Sequence, residues 1–215
     1  MMAVTHELKT PISVARLNLE TLLKHSLDEE KQKKLMQSSL QETMRLDTLI
    51  NNILVLSQID AGAYPSIKEE LDFSDLVLDV VQQFKNRYPS RNIISQIDAA
   101  IDVKGDALLL KLLVSNLLEN ANKYSEKEKP ISCLLTKKGK VIELQVVDEG
   151  QGIVEEEKKN VFEKFYRIGN EQTRTTQGTG LGLYLCKKIA AYHLAEISIT
   201  DNNRHGSIFC VIFIN

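Results

Sequence analysis

The chain has 215 residues, of which 43% are hydrophobic and 26% are charged, and its formal net charge is −2. This composition predicts a globular protein of one large or two small domains, and the lack of a basic excess argues against a nucleic-acid partner. No apolar run approaches the roughly 18 residues that span a bilayer, and the first residues lack a signal peptide, so we predict a cytoplasmic chain without membrane contact.

Two long helices are predicted in residues 1–62. From Leu8 the apolar residues recur at alternating spacings of four and three, which is a heptad pattern. A capping box at Ser26 and Glu29 predicts the start of the second helix, and Gly62 predicts its end. One antiparallel hairpin offers too little surface to bury both apolar stripes, so we predict a homodimer that forms a four-helix bundle.

A mixed α and β pattern follows a predicted linker at residues 63–68 and occupies residues 69–215. The predicted helices are 75–88, capped by Ser74, then 106–124, a short acidic helix at 155–162 and one after Gly182; the predicted strands are 93–97, 131–136, 141–147, 196–200 and 207–214. These elements predict an α/β sandwich, with helices on one face of a mixed sheet, so the fold class is α+β.

The three cysteines, Cys133, Cys186 and Cys210, are odd in number, far apart and set among apolar residues. This arrangement predicts reduced thiols in the core and argues against a disulfide framework or a zinc site.

A histidine and a glutamate lie near the start of the first helix. If Leu8 faces the bundle, the heptad places His6 and Thr10 together on a face toward water. The Glu7 carboxylate beside the imidazole could hold one tautomer and accept a ring proton while the other nitrogen attacks an electrophile. The alternative is an ordinary surface histidine.

Two amides share one face of the predicted helix at residues 106–124. Asn116 and Asn120 are four residues apart, and Lys123 and Tyr124 follow closely. Amides on an apolar helix need polar partners, which a hydrated Mg²⁺ ion and phosphate oxygens would supply. The alternative is that both amides bond neighbouring backbone.

A carboxylate ends the strand predicted at 141–147. Asp148 precedes Gly150, Gly152 and Ile153 and is placed to accept a hydrogen bond from an exocyclic amine, as in adenine. The alternative is a plain β-turn. Further along, Arg167 could reach a terminal phosphate.

A glycine-rich turn runs directly into the last predicted helix: Gly178, Thr179, Gly180, Leu181, Gly182 and Leu183. Its glycines leave room for backbone N–H groups to surround an anion at a helix start, which predicts a phosphate site. An ordinary tight turn is the alternative. The polar stretch 168–177 before it predicts a mobile lid, or else a solvated surface loop.

The order of these motifs resembles the catalytic portion of sensor histidine kinases of two-component systems over nearly the whole chain. The resemblance rests on five segments: residues 6–11 resemble the H box, 116–124 the N box, 148–152 the G1 box, 162–167 the F box and 178–183 the G2 box.

The resemblance implies that His6 accepts the γ-phosphoryl group of ATP and passes it to an aspartate of a response regulator. It further implies that Glu7 is the general base and that Thr10 positions water for dephosphorylation of the regulator. The implied nucleotide ligands are Asn120 and Asn116 for Mg²⁺, Lys123, Tyr124 and Arg167 for the phosphates or base, Asp148 for adenine, and the loops at 150–153 and 178–183.

The family's first helix usually extends upstream of the H box, whereas only five residues precede His6 here. This difference predicts a fragment of a longer, membrane-anchored protein. Two alternatives remain open. An ATPase of the topoisomerase, chaperone or repair type would resemble the second domain only, which the H box argues against. A scaffold or phosphatase-biased sensor would keep the bundle to bind its regulator.

Overall fold

The computed structural model describes residues 2–65, 67–169, 178–203 and 205–214, without the side chains of residues 2–4 and 6. Contacts divide the chain into two compact units, of which the first ends at Tyr64 and the second begins at Pro65; residues 178–181 group with the first unit. Among the helices of these described ranges, none is long and apolar enough to cross a membrane.

The elements in chain order are α1 (Met2–Lys24), α2 (Glu29–Asp60), β1 (Glu69–Asp72), α3 (Phe73–Arg87), β2 (Ile93–Ile97), β3 (Asp102–Gly105), α4 (Ala107–Tyr124), β4 (Ile131–Lys138), β5 (Val141–Val147), α5 (Gly182–Tyr192), β6 (Glu196–Asp201) and β7 (Ser207–Ile214).

The first unit is an antiparallel hairpin of α1 and α2, as the heptad pattern predicts. The side-chain amide of Asn18 donates to Ser38 Oγ at 3.0 Å, and Arg45 reaches back to Glu7, so the two helices run side by side in opposite directions. At the far end of α2, Gly62 adopts a φ of 64°, the left-handed conformation that ends helices.

The capping box predicted at Ser26 and Glu29 is wrong, because the N-cap of α2 is Asp28. The Asp28 carboxylate accepts the backbone N–H of Lys31 at 2.8 Å and also pairs with the Lys31 ammonium group. A carboxylate at this position satisfies an N-terminal donor and adds negative charge at the positive end of the helix.

The second unit is built on a five-stranded sheet in the order β2-β4-β5-β7-β6, in which only β2 and β4 are parallel. In β4 as far as Thr136 and in β5 from Ile142, buried residues alternate with half-buried ones, and the residues at the turn between the two strands are exposed. Helices α4 and α5 contact strands of this sheet and, with α3, supply the buried apolar side chains that complete the core. This arrangement confirms the predicted α/β sandwich.

The predicted cap of α3 is also wrong. Asp72 is the N-cap and accepts the backbone N–H of Asp75 at 2.9 Å. Ser74 is instead buried, where its hydroxyl donates to the Asp98 carbonyl at 2.6 Å and accepts the N–H of Ile101 at 3.0 Å. The serine therefore ties α3 to the loop between β2 and β3.

Three local elements differ from the sequence predictions. Strands β1 and β3 form a separate two-stranded antiparallel sheet that no strand pattern indicates, because each has only four residues. The predicted acidic helix consists of two short 3-10 turns, Glu155–Glu157 and Asn160–Phe162.

All three cysteines are buried and free, which confirms the predicted core thiols. Burial raises the pKa of Cys133 and of Cys210 to about 12, and it raises that of Cys186 as well. Since the thiolate is the reactive species, these thiols are protonated and shielded in the folded protein.

We therefore expect iodoacetamide to leave the three cysteines unmodified in the native protein at neutral pH and to modify all three in denaturant, as counted by mass spectrometry. A Ser90→Cys variant, which places a thiol at an exposed turn position, is expected to gain one rapid adduct. Rapid native labelling of any of the original thiols would contradict their burial.

Candidate active site

Helix α4 carries the two amides to one edge of the core of the second unit. It begins at the N-cap Asp106, whose carboxylate accepts the Leu109 N–H at 3.0 Å, and its apolar residues are buried. Asn116 and Asn120 lie one turn apart on α4, and both are half-buried. The helical spacing therefore brings two amide groups to a shared face, as predicted.

The orientation of the Asn116 amide follows from its hydrogen bond. Its Nδ2 donates to the Leu112 carbonyl at 2.8 Å, so Oδ1 points away from the helix backbone. A Cβ atom on Gly182, at the start of α5, would lie 3.1 Å from that Oδ1. The amide thus bonds backbone, as the alternative interpretation expects, and still presents an acceptor oxygen beside the α5 N-terminus.

A positive charge lies at the end of α4. The Lys123 ammonium group is 2.9 Å from the Tyr124 hydroxyl and 4.5 Å from the centroid of its ring. Both side chains are half-buried. The ring and hydroxyl hold the ammonium group close to the last turn of the helix.

The carboxylate of Asp148 is only 4% exposed. Burial raises its pKa above the ordinary value, while the backbone N–H of Gly150 and the charge of Arg91 act to lower it. The Gly150 N–H donates to Oδ1 at 2.8 Å. One carboxylate oxygen is therefore held by the following turn, in a partly desolvated position where a hydrogen bond to a ligand is strengthened.

Gly150 brings the end of α4 against the turn after β5. Ser125 and Gly150 form an isolated antiparallel bridge, and a Cβ on Gly150 would lie 2.4 Å from the Tyr124 carbonyl oxygen. Only glycine fits at this distance. The residues after Asp148 therefore form a turn, as the alternative interpretation expects. This turn also packs Asp148 against the C-terminal end of α4.

Two residues of the β6–β7 turn support Asp148, and the sequence reasoning missed both. The Asn202 amide donates to the Asp148 carbonyl at 3.0 Å, and a Cβ on Gly206 would lie 2.1 Å from the same oxygen. Gly206 has a φ of 104°, which favours glycine. Asparagine and glycine between two predicted strands are a hairpin signal that could have located this turn.

The remaining site residues of the second unit lie on the chain after β5. Gly152 has a φ of 72°, and Ile153 after it is half-buried. The Tyr166 hydroxyl donates to a carboxylate oxygen of Glu157, and this hydrogen bond anchors the segment that carries Arg167. The Arg167 side chain is half-buried.

Leu183 is half-buried within α5.

The glycine-rich turn divides between the two units, since residues 178–181 group with the first unit. Gly180 has a φ of 68°, and the Thr179 hydroxyl accepts the N–H of Leu181 at 3.2 Å. Phosphate contact by this turn stays a prediction. Residues 170–177, which make up most of the lid predicted at 168–177, lie outside the described residues.

The candidate phosphoacceptor lies on α1 in the first unit. The His6 side chain is outside the described residues, and so is its predicted exposure to water. The Glu7 carboxylate beside it is largely buried and lies 3.4 Å from the Arg45 guanidinium group on α2. Thr10, one turn along, is half-buried.

Comparison with known proteins places both units in families. The model of the histidine kinase-, DNA gyrase B- and HSP90-like ATPases matches residues 105–214. The model of the His Kinase A (phospho-acceptor) domain matches residues 1–62.

Relatives match across both units. The sensor-like histidine kinase SenX3 of Mycolicibacterium smegmatis is 32% identical over 208 residues, which cover 96% of this chain and 54% of that protein. The phosphate regulon sensor protein PhoR of Pseudomonas aeruginosa is 30% identical over 213 residues, which cover 98% of this chain and 48% of that protein. The chain thus spans about half the length of these relatives.

A solved structure shows the same fold. The Acinetobacter baumannii histidine kinase AdeS has a TM-score of 0.73 and 24% sequence identity, with 97% of each chain covered.

The fold and the matched families define an ATP-binding domain preceded by a helical hairpin of the phosphoacceptor type. The chain belongs to the sensor histidine kinases of two-component systems. This confirms the family resemblance in its sequence.

Proposed function

We propose that the protein transfers the γ-phosphoryl group of ATP to His6 and then to an aspartate of a response regulator. The observation that carries the proposal is the presence, in one chain, of a phosphoacceptor-type hairpin containing His6 and an ATP-binding unit. An ATPase without histidine transfer would account for the second unit only.

In the proposed reaction an imidazole nitrogen of His6 attacks the γ-phosphorus, and the bond from phosphorus to the bridging oxygen of ADP breaks. Glu7 accepts the proton that leaves the other ring nitrogen. Phosphoryl transfer depends chiefly on positioning and charge neutralisation. Lys123 and Arg167 supply positive charge, and the turn at 178–183 supplies backbone N–H groups.

Mg²⁺ fits the donor set of the α4 face. Among the described residues no cluster of three histidine, cysteine, aspartate or glutamate side chains could hold a metal. Asn116 presents its amide oxygen beside the start of α5, and Asn120 lies one turn along α4. Amide oxygens together with phosphate oxygens suit this hard cation, which would neutralise phosphate charge when bound. We assign Asn120 as its main protein ligand, assisted by Asn116.

Transfer requires His6 and the nucleotide to meet although they belong to different units. We assign the linker at residues 63–68 as the hinge that permits this approach, because its described residues, 63–65, 67 and 68, lie in neither a helix nor a strand. Gly62 precedes this linker and Pro65 lies within it. Thr10, in a His-Glu-x-x-Thr pattern, supports a second activity of the same hairpin, dephosphorylation of the regulator.

A homodimer would cover an apolar face that α1 leaves exposed. Ile12, Leu19 and Leu23 are 51%, 51% and 87% exposed. They line a groove of about 530 Å³ that α2 completes with Leu46. A second hairpin laid on this groove would bury the apolar stripe in a four-helix bundle.

We expect Leu19→Glu to convert the dimer to a monomer in sedimentation experiments, because it buries a charge in the proposed interface. Leu17→Glu is the matched control: Leu17 is 63% exposed but does not line the groove, so this variant should remain dimeric. If Leu19→Glu has the same molecular mass in solution as Leu17→Glu and the parent dimer, the proposed groove is not the dimer interface.

We expect Asp148→Ala to weaken ATP binding by about tenfold to a hundredfold, because the variant loses a desolvated acceptor for the adenine amine. Titration calorimetry with ATP and with GTP measures this. Selectivity for ATP over GTP should fall in the variant, and unchanged affinity would remove Asp148 from adenine recognition.

The proposed activity is tested by incubating the protein with γ-labelled ATP and Mg²⁺. Label should enter the protein in an acid-labile, base-stable bond, as a phosphohistidine requires, and should pass to the aspartate of a receiver domain when one is added. ATP hydrolysis without protein labelling would favour a plain ATPase.

A further inference from the structure

A buried arginine lies beside the candidate adenine site. Arg91, two residues before β2, is only 8% exposed. Its Nη2 donates to the Ser125 carbonyl at 3.1 Å, and its Nη1 donates to the Glu126 carbonyl. Among the described residues its Nε has no hydrogen-bond partner. Its hydrogen-bond acceptors are neutral carbonyls, and the carboxylates of Glu128 and Asp148 act on it through their charge only. Burying a guanidinium group without a directly bonded carboxylate is costly, which suggests more than a structural role.

The carbonyls that Arg91 holds belong to the turn directly after α4. Ser125 pairs with Gly150 across an isolated bridge, and the Gly150 N–H donates to the Asp148 carboxylate. Arg91 is therefore connected to the Asp148 carboxylate through three consecutive contacts. If the turn moved, the Gly150 N–H that orients the carboxylate would move with it.

The same guanidinium group also acts on Asp148 through its charge. Burial raises the pKa of Asp148 and lowers that of Arg91, and each charge opposes the other's shift. The other described charges nearby are Glu128, which acts on Arg91, and the pair of Glu149 with Lys129, whose charged atoms are 3.8 Å apart. The positive charge of Arg91 therefore acts to lower the pKa of Asp148, in addition to two backbone hydrogen bonds that act in the same direction.

On the basis of the proposed function, we propose that Arg91 is a positioning residue for adenine, which braces the turn after α4 against Gly150 and thereby orients the Asp148 carboxylate. An ionised carboxylate can only accept hydrogen bonds, which matches the exocyclic amine of adenine. Arg91 itself is not required to touch the nucleotide.

The test is titration of the whole protein with ATP over a series of pH values that begins near the ordinary aspartate pKa of about 4 and ends at neutral pH. ATP affinity should fall as acid protonates Asp148. In Arg91→Met the fall should occur at a higher pH than in the parent, and affinity at neutral pH should drop about tenfold because the turn after α4 loses its brace. Arg87→Met, which removes an arginine bonded to Glu119 on the outer side of α4, is the matched control and should keep the parent profile.

Arg91→Lys separates the two effects, because lysine keeps the charge but loses the two-pronged contact. It should bind ATP about threefold more weakly with an unchanged pH midpoint. A ¹³C titration of the Asp148 carboxyl in nucleotide-free protein reports the same pKa directly, and circular dichroism checks folding. If Arg91→Met does not fold, the lysine variant and this titration decide.

The inference is overturned if Arg91→Met keeps the parent midpoint, or if Arg91→Lys binds ATP as the parent does. Failure of the proposed function has a different signature: the parent protein would then bind no ATP at any pH, or would bind and hydrolyse ATP without labelling His6.

Discussion

Replacement of His6 by glutamine is expected to abolish phosphate incorporation from γ-labelled ATP. Glutamine keeps a polar side chain on α1 but has no nitrogen that can form the phosphoryl bond. Because His6 belongs to the hairpin and the nucleotide residues to the second unit, ATP affinity should not change. Filter or gel detection of the label, together with an ATP titration, measures both results.

The matched control is His25→Gln, which makes the same substitution at the exposed histidine directly after α1. This variant should be labelled at the parent rate. Label that persists in His6→Gln would remove His6 from the role of phosphoacceptor, and loss of ATP affinity would show that the substitution disturbs more than the transfer step.

Replacement of Gly206 by alanine is expected to cause the largest loss of stability among substitutions of small residues at the site. The new Cβ would lie 2.1 Å from the Asp148 carbonyl oxygen and 2.8 Å from the Glu149 Cα, at a φ of 104°. Both obstacles are backbone atoms, so no side chain can move aside. We expect about 3 kcal/mol of destabilisation and a fall in Tm of roughly 6 to 12 °C.

ATP binding should weaken in the same variant by about tenfold, because the β6–β7 turn displaces the strand end that carries Asp148. Thermal unfolding and calorimetry measure the two effects.

Gly139→Ala is the matched control for Gly206→Ala. Gly139 also has a positive φ, 63°, but a Cβ there would meet nothing within 4 Å. The Gly139→Ala variant should lose only about 1 kcal/mol of folding free energy, which is the strain of the left-handed conformation, and its ATP affinity should be unchanged. Equal losses in the two variants would mean that the contact with Asp148 contributes nothing.

Much of the site follows from local spacing. Asn116 and Asn120 share a helix face because four residues make about one turn, and Asp148 ends a strand because the alternating pattern stops there. The α1–α2 hairpin is likewise implied by its heptads. These relations lie within a few residues, where backbone geometry alone decides them.

Helix starts were less predictable, because several nearby side chains can serve as caps. Ser26 and Ser74 both satisfy the sequence rules, yet Asp28 and Asp72 are the caps. The Ser74 hydroxyl instead donates a hydrogen bond to the carbonyl of Asp98, which is far from it in the sequence. A rule based on neighbouring residues does not include such a partner.

The sequence by itself determined the order of the long helices and of the strands of the five-stranded sheet, and the residue types that nucleotide chemistry requires. Only the tertiary structure decided which distant residues support them: Arg91 on the turn after α4, and Asn202 and Gly206 on Asp148. The physical reason is that local backbone geometry sets the spacing of side chains along a helix or strand. The contacts of Arg91, Asn202 and Gly206 depend instead on how separate elements pack against each other, which neighbouring residues in the sequence do not indicate.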